Sequence, residues 1–316
     1  MRREGSPWQG LGVVTLKELS DHLSSWRMLV LELLVAVTAV VSVYMAIQQI
    51  REVTAEDPFL LLRLFTRGTP LPFVALLSFL VPLVAIGLGF DLVNSEHNQH
   101  TLSRVLSQPI YRDALLLGKF LAGLITISIS LIALWLLLIG LGLVMLGVPP
   151  GTEEVSRAFI FLLVTIAYAG VWLALALLFS IMFRSAATAA LAALGLWLFL
   201  TILWPQMMPL IANALTPSGD VLELLNTQLV LARISPSALF NEVVTVILDP
   251  SLRSTQQSMF AQMGLMLIER GAVPGAPIPL LQSILVVWGQ IVGLVAGTIL
   301  LFVVGYIAFQ RQEVRA

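Results

Sequence analysis

Charged positions are spaced unevenly along the chain, and that spacing decides the fold class. Six stretches of 18 or more residues contain no Asp, Glu, Lys or Arg: 33–50, 68–90, 120–152, 158–183, 185–219 and 271–310. A charge placed in hydrocarbon costs a few kcal/mol on insertion scales, so long charge-free apolar stretches mark membrane spans. A spanning helix needs about 20 predominantly apolar residues. All six stretches qualify, the first when it begins near Met28, and the expected spans are 28–50, 71–92, 119–146, 158–183, 187–210 and 280–308. Strand-like alternation of apolar and polar residues is absent, so the spans read as helices rather than barrel strands. The expected fold is an all-α integral membrane protein with six transmembrane helices and both termini on one side.

Three polar segments flank these spans. In residues 1–27, Val13, Leu16, Leu19, Leu23 and Trp26 recur at helical spacing, while Lys17, Glu18, Asp21 and His22 fall on the opposite face. That pattern predicts an amphipathic helix lying in the interface plane, or a short cap helix, and does not fit a secretory signal. Residues 91–119 predict a short helix over 101–106, broken by Pro109, that leads into the third span. Such a helix presents side chains to something outside the membrane; an ordinary solvated loop fits the residues equally well. In residues 211–279, Ser235-Pro236 opens a helix with Leu239, Phe240, Val243, Val244 and Ile247 on one face. A second amphipathic stretch, 255–270, carries Met259, Met263 and Met266 in a stripe. These two predict re-entrant or interfacial helices between spans five and six. The whole chain, 1–316, then reads as a single transmembrane domain.

Composition sharpens the reading. Of the 316 residues, 58% are hydrophobic and only 11% charged, with a mean hydropathy of +0.96, whereas soluble domains carry about 25% charged residues. This excludes a soluble enzyme, and the net charge of −1 points to no nucleic-acid or other polyanionic partner. With no cysteine, disulfides, thiolate metal sites and cysteine nucleophiles are all absent. If the termini are cytoplasmic, that side holds Arg2, Arg3, Lys17, Arg27, Arg104, Arg112, Lys119, Arg184, Arg311 and Arg315, the larger share of the 17 Lys and Arg. The positive-inside rule therefore favours cytoplasmic termini in a multi-pass protein of the cell membrane.

Candidate chemistry is sparse. No Gly-x-x-x-x-Gly-Lys-Ser/Thr run is present, because Gly118-Lys119-Phe120 lacks both the upstream Gly and the hydroxyl. There is no His-Glu-x-x-His pair and no Gly-x-Ser-x-Gly elbow. His97 and His100 stand beside Glu96 in a polar segment with no strong third ligand near, so no metal site is assigned. Met207, Met208, Met259, Met263 and Met266 offer soft thioethers but equally serve as apolar filler. Ionisable or amide groups in or near spans are functional candidates by default. Glu32 and Gln290 are named as candidates to line a pathway, and Arg157 is expected to snorkel from the start of the fourth span. No carboxylate is evident deep in the bundle.

Several residues occur in a telling order after the second span: Asp91, Glu96, Thr101-Leu102, the Leu106-Ser107-Gln108-Pro109 turn and Gly118-Lys119. With Lys17-Glu18-Leu19-Ser20-Asp21 near the start and a short tail after Phe309, the chain resembles the permease subunits of ABC type-2 exporters. More narrowly, it is similar to the branch that includes the permease of nitrous-oxide-reductase maturation systems. His100 stands where that family often has Gly. The resemblance implies that Glu96, Thr101, Leu102, Arg104, Ser107 and Pro109 belong to a cytoplasmic coupling helix seated in an ATPase groove. It implies that residues 10–27, with Lys17, Glu18, Asp21 and Trp26, form an elbow helix. It also implies a second permease copy, identical or related, and separate ATP-binding ABC subunits that hold ATP and Mg, leaving this chain without cofactor or catalytic residue. Three classes are therefore weighed: a transport subunit, an intramembrane enzyme, and a non-transporting scaffold or channel. An enzyme requires facing catalytic groups within the spans, and no convincing pair is present.

Overall fold

The computed structural model describes residues 7–51, 59–66, 72–94, 112–147, 149–216, 221–250 and 277–311. Every regular element among the described residues is helical. Helix α1 (Pro7–Leu23) is followed by α2 (Trp26–Arg51), whose first turn is capped where Met28 N–H donates to Ser25 Oγ at 3.2 Å. The short apolar α3 (Leu60–Thr66) precedes α4 (Phe73–Gly89), α5 (Arg112–Leu146) and α6 (Thr152–Met182). The fifth span has three parts: α7 (Ala186–Leu198), a π-helical turn (Phe199–Leu203) and α8 (Trp204–Leu215). Then come α9 (Val221–Ala232) and α10 (Pro236–Leu248), bent by 110° at their junction, and finally α11 (Leu280–Val286) and α12 (Trp288–Arg311). Five of these runs are long and apolar enough to cross a membrane, and α4 is a sixth apolar helix of 17 residues.

The expected spans fall on these helices, with informative differences at the ends. The third begins at Arg112 rather than at residue 119, because Lys119 is buried against Glu18 inside the helix instead of marking its boundary. The fifth runs on to Leu215 despite Pro205 and Pro209. A proline ring clashes with the carbonyl four residues earlier, and the widened π turn lies directly before Pro205, where that clash would fall. The sixth breaks at Val287. Helices α3 and α9 were not anticipated: each is too short, or too interrupted by a charge such as Arg63 or Glu223, to register as a span. The expected helices at 101–106 and 255–270 lie outside the described residues.

Helix α6 is the centre of the bundle. Of its most apolar window 78% is buried, against 11% for α12 and 17% for the fifth span. It packs on α4, α5, α10 and α12. Against α4 the backbones come so close that a Cβ on Gly89 would lie 2.6 Å from Ala176 Cβ, so only glycine fits there. Phe65, Phe73 and Phe161 join α3, α4 and α6 with ring centroids 5.4–6.4 Å apart. Helices α11 and α12 run parallel to α6: Arg157 meets Ser283 of α11, while Gly170 faces Thr298 and Ile181 faces Gly305 of α12. Large apolar side chains such as Leu33, Val37, Leu136, Leu191, Ile299 and Leu300 point outward, as lipid-facing residues do.

The bundle has two distinct ends. At one, Tyr306 Oη and Gln310 Nε2 donate to Asp113 Oδ1 at 3.1 and 2.6 Å, and the backbone N–H groups of Val93 and Asn94 donate to Ser180 Oγ at 3.0 and 3.3 Å. Helix α1 docks there too, so the elements leading from both termini share this proximal end. The distal end carries the α5–α6 connection and the close of α10.

Candidate functional site

At the proximal end α1 crosses α5 over Gly118, where a Cβ would sit 2.8 Å from Val14 Cγ1. Lacking a side chain, Gly118 lets α1 lie flat enough for Glu18 Oε1 to accept Lys119 Nζ at 3.1 Å. Lys17 Nζ also donates to Glu18 Oε1 at 3.1 Å and lies 3.4 Å from Asp21. Burial by itself would raise the Glu18 pKa, but the charge and hydrogen bond of Lys119, reinforced by Lys17, hold it below the ordinary carboxylate range. For Lys17 partial burial is likewise outweighed, by Glu18 and Asp21, and its pKa is raised. The sequence pattern placed Glu18 on the polar, outward face. Instead Val14 and Glu18 face α5 and are buried, while Val13, Leu16, Leu23 and Trp26 stay exposed. The docking face is chosen by Lys119 and Gly118, which leaves the apolar stripe free.

Near the distal end Arg157 departs from its expected role. It is fully buried rather than snorkelling. Its guanidinium donates to Ile247 O at 2.8 Å, Ile278 O at 2.6 Å, Ser283 Oγ at 3.1 Å and Glu153 Oε1 at 2.9 and 3.1 Å. The last turn of α10 leaves carbonyls without intrahelical donors, and Arg157 supplies one from a fork that no other side chain offers. It thereby ties α6, α10 and the entry to α11 together. Beside it, Glu154 accepts Gly151 N–H at 2.8 Å and Leu61 N–H at 2.9 Å, capping α6 and anchoring α3.

Between these ends α10 lies inside the bundle. Tyr168 Oη donates to Ser78 O at 2.9 Å and lies 2.9 Å from Ser237 Oγ, while Ser237 lies 3.1 Å from Thr201 Oγ1. The Tyr168 ring stacks on Phe240 with centroids 4.4 Å apart. Tyr168 is eleven residues beyond Arg157 on α6, about 16 Å at helical rise. The start of α10 therefore sits well inside the bundle while its last turn reaches the distal end. Together with the 110° bend, this makes α9–α10 a sharply bent hairpin whose second arm turns into the bundle. Along α10, Glu242 is buried. Its carboxylate accepts Gln290 Nε2 at 2.8 Å and Arg233 Nη2 at 3.1 Å.

Gln290 thus joins α12 to the hairpin. Glu32 lies in an apolar groove of about 400 Å³ between α2, α4 and α5, and accepts Ser130 Oγ–H at 2.6 Å. Glu96, Thr101, Leu102, Arg104, Ser107 and Pro109 lie outside the described residues, as do His97, His100 and the 259–266 methionines. Among the described residues no three His, Cys, Asp or Glu side chains converge. Glu154 and Glu242 are buried carboxylates that sequence reasoning missed. Counting charge-free gaps excludes any helix that carries its charge inward, and the Pro236–Leu248 apolar face was the one signal available for α10.

A bundle of long apolar helices around a buried central helix, with lipid-type side chains outside, defines a multi-pass membrane protein. The chain belongs to the ABC-2 family of transporter proteins, which residues 13–314 match. Two relatives are described as probable ABC transporter permease protein NosY. The protein from Pseudomonas aeruginosa is 29% identical over 197 residues, and the one from Stutzerimonas stutzeri 30% over 198 residues. Each alignment covers 60% of this chain and 66% of the relative, so the chain spans a little under two thirds of their length.

Proposed function

We propose that the chain, as a single permease domain over residues 1–316, forms the translocation path of an ATP-binding-cassette exporter. It pairs with a second permease copy and is driven by separate ATPase subunits that hold ATP and Mg. Its termini lie on the cytoplasmic side of the cell membrane. The observation that carries this reading is the convergence of both flanks of segment 95–111 at the proximal end. Asn94 is held on Ser180 and Asp113 on Tyr306 and Gln310. The position of these two flanks at one end, beside α1, supports a partner docking there from outside the membrane. Glu96 to Pro109 then act as the coupling helix and α1 as the elbow. ATPase closure pushes on the segment. The push passes through α4 and α5 to the close-packed α6, which moves as a rigid unit because its contacts leave no room for compression.

Purification of the tagged chain from its native membrane in mild detergent, with mass spectrometry of what accompanies it, tests the partner. A stoichiometric ATP-binding subunit is expected; a chain that reproducibly comes alone as a stable oligomer sinks the reading in favour of a channel or scaffold. Charge reversal at Glu96 or Arg104 is expected to abolish stimulation of ATP turnover while leaving membrane insertion intact. Orientation is tested by single cysteines, clean because the chain has none of its own. Pro149→Cys should react with an impermeant maleimide from outside intact cells and Ser24→Cys should not.

A further inference from the structure

A cavity of about 370 Å³ lies at the bend of the α9–α10 hairpin, between the π turn, α8, α9 and α10. One side is apolar, formed by Leu200, Trp204, Met208 and Leu229. The other side carries Gln228, Ser235 and Glu242. Gln228 Oε1 and Ser235 Oγ are buried, at 6% and 2% residue exposure, and neither has a hydrogen-bond partner among the described residues. Leaving such groups unmatched is costly; His22 Nε2, Trp172 Nε1 and Trp197 Nε1 are unmatched as well, but Gln228 and Ser235 line one cavity together and so mark a place that something else completes. The adjoining turn is π-helical, a form that recurs at functional sites.

We infer that this cavity is a binding site for a small uncharged amphiphile whose hydroxyl head donates its one proton to Gln228 Oε1 and accepts from Ser235 Oγ–H, while its hydrocarbon body lies along Trp204 and Met208. The orphaned atoms fix the polarity of the head: an amide oxygen accepts only, and a serine hydroxyl accepts as well as donates. Charge balance fixes the rest. Glu242 is already neutralised by Arg233 at 3.1 Å, so an ammonium would add an uncompensated charge in a low-dielectric site, and a carboxylate would meet the Gln228 acceptor and the like charge of Glu242. The volume is at the small end of ligand pockets, suited to a medium-chain alcohol rather than a two-chain lipid. The lining residues include none from segment 95–111, and the site does not depend on the ATPase reading.

The full chain in lipid nanodiscs is photolabelled with a diazirine analogue of 1-decanol, and the adducts are located by mass spectrometry. Labelling is expected on α8 at or beside Met208, protected at least five-fold by excess 1-decanol and less than two-fold by decylammonium or decanoate. Gln228→Leu, which keeps the volume and removes the acceptor, should cut that labelling at least five-fold without lowering the unfolding temperature. Ser235→Ala should act in the same direction. Adducts spread along the lipid-facing helices with no protection overturn the site. Protection by decylammonium equal to that by decanol overturns the choice of head. No α8 adduct, with both variants as stable as the parent, means that water alone fills the cavity and the proposal is wrong.

Discussion

Arg157→Met removes a buried guanidinium while nearly keeping the length of its stem, and its effect can be worked out atom by atom. Two carbonyls, Ile247 O and Ile278 O, lose donors at 2.8 and 2.6 Å, and Ser283 Oγ loses one at 3.1 Å. A buried carbonyl left unsatisfied costs about 1–3 kcal/mol, whereas interhelical hydrogen bonds in membrane proteins average only about 0.6 kcal/mol. The partner carboxylate, Glu153, is 44% exposed, so that pair contributes no more than about 1 kcal/mol after solvent screening. The two carbonyls dominate, and the expected loss is about 2–5 kcal/mol. Titration of the purified protein with SDS, followed by loss of helical circular dichroism, measures it. Amide exchange in the last turn of α10 should rise in the same variant, because that is where a carbonyl is released. Arg157→Lys keeps the charge but reaches fewer acceptors and should fall between the two. A methionine variant within about 1 kcal/mol of the parent, with exchange in α10 unchanged, refutes the claim that Arg157 holds the hairpin to α6 and α11.

Other outcomes are as specific. Gly118→Leu should displace α1 from α5, seen as increased amide exchange across residues 10–23, with α6 unaffected, since a Cβ there already falls 2.8 Å from Val14. Glu18 has its folded pKa lowered, so its contribution to α1 docking is present at neutral pH and lost as pH falls through that lowered value. Exchange in α1 should therefore rise on acidification below the ordinary carboxylate range, and Glu18→Gln should show the raised exchange already at neutral pH with little further change. Tyr168→Phe keeps the stack on Phe240 and loses only the hydroxyl contacts with Ser78 and Ser237. It should cost about 0.6–1.7 kcal/mol in the same SDS titration; a larger loss would show that the hydroxyl network does more than join α4 to α10.

The sequence by itself determined the class and the spans. Hydrocarbon excludes charge from one lipid-facing helix as surely as from six, so counting apolar residues between charges is a local measurement that needs no knowledge of neighbours. It located the spans of the bundle but not α3 or α9. Tertiary structure decided which polar groups are inside. Glu18 is buried because Lys119, 101 residues away in sequence, lies under α1. Arg157 is buried because Ile247, Ile278 and Ser283 arrive from later elements to accept its protons. Glu242, in a segment read as re-entrant or interfacial, lies within the bundle because Arg233 compensates its charge, Gln290 donates to it and α10 turns inward at Ser235. A buried charge is tolerated only with a partner at hydrogen-bonding distance, and that partner comes from a different part of the chain. No pattern within one helix can announce it.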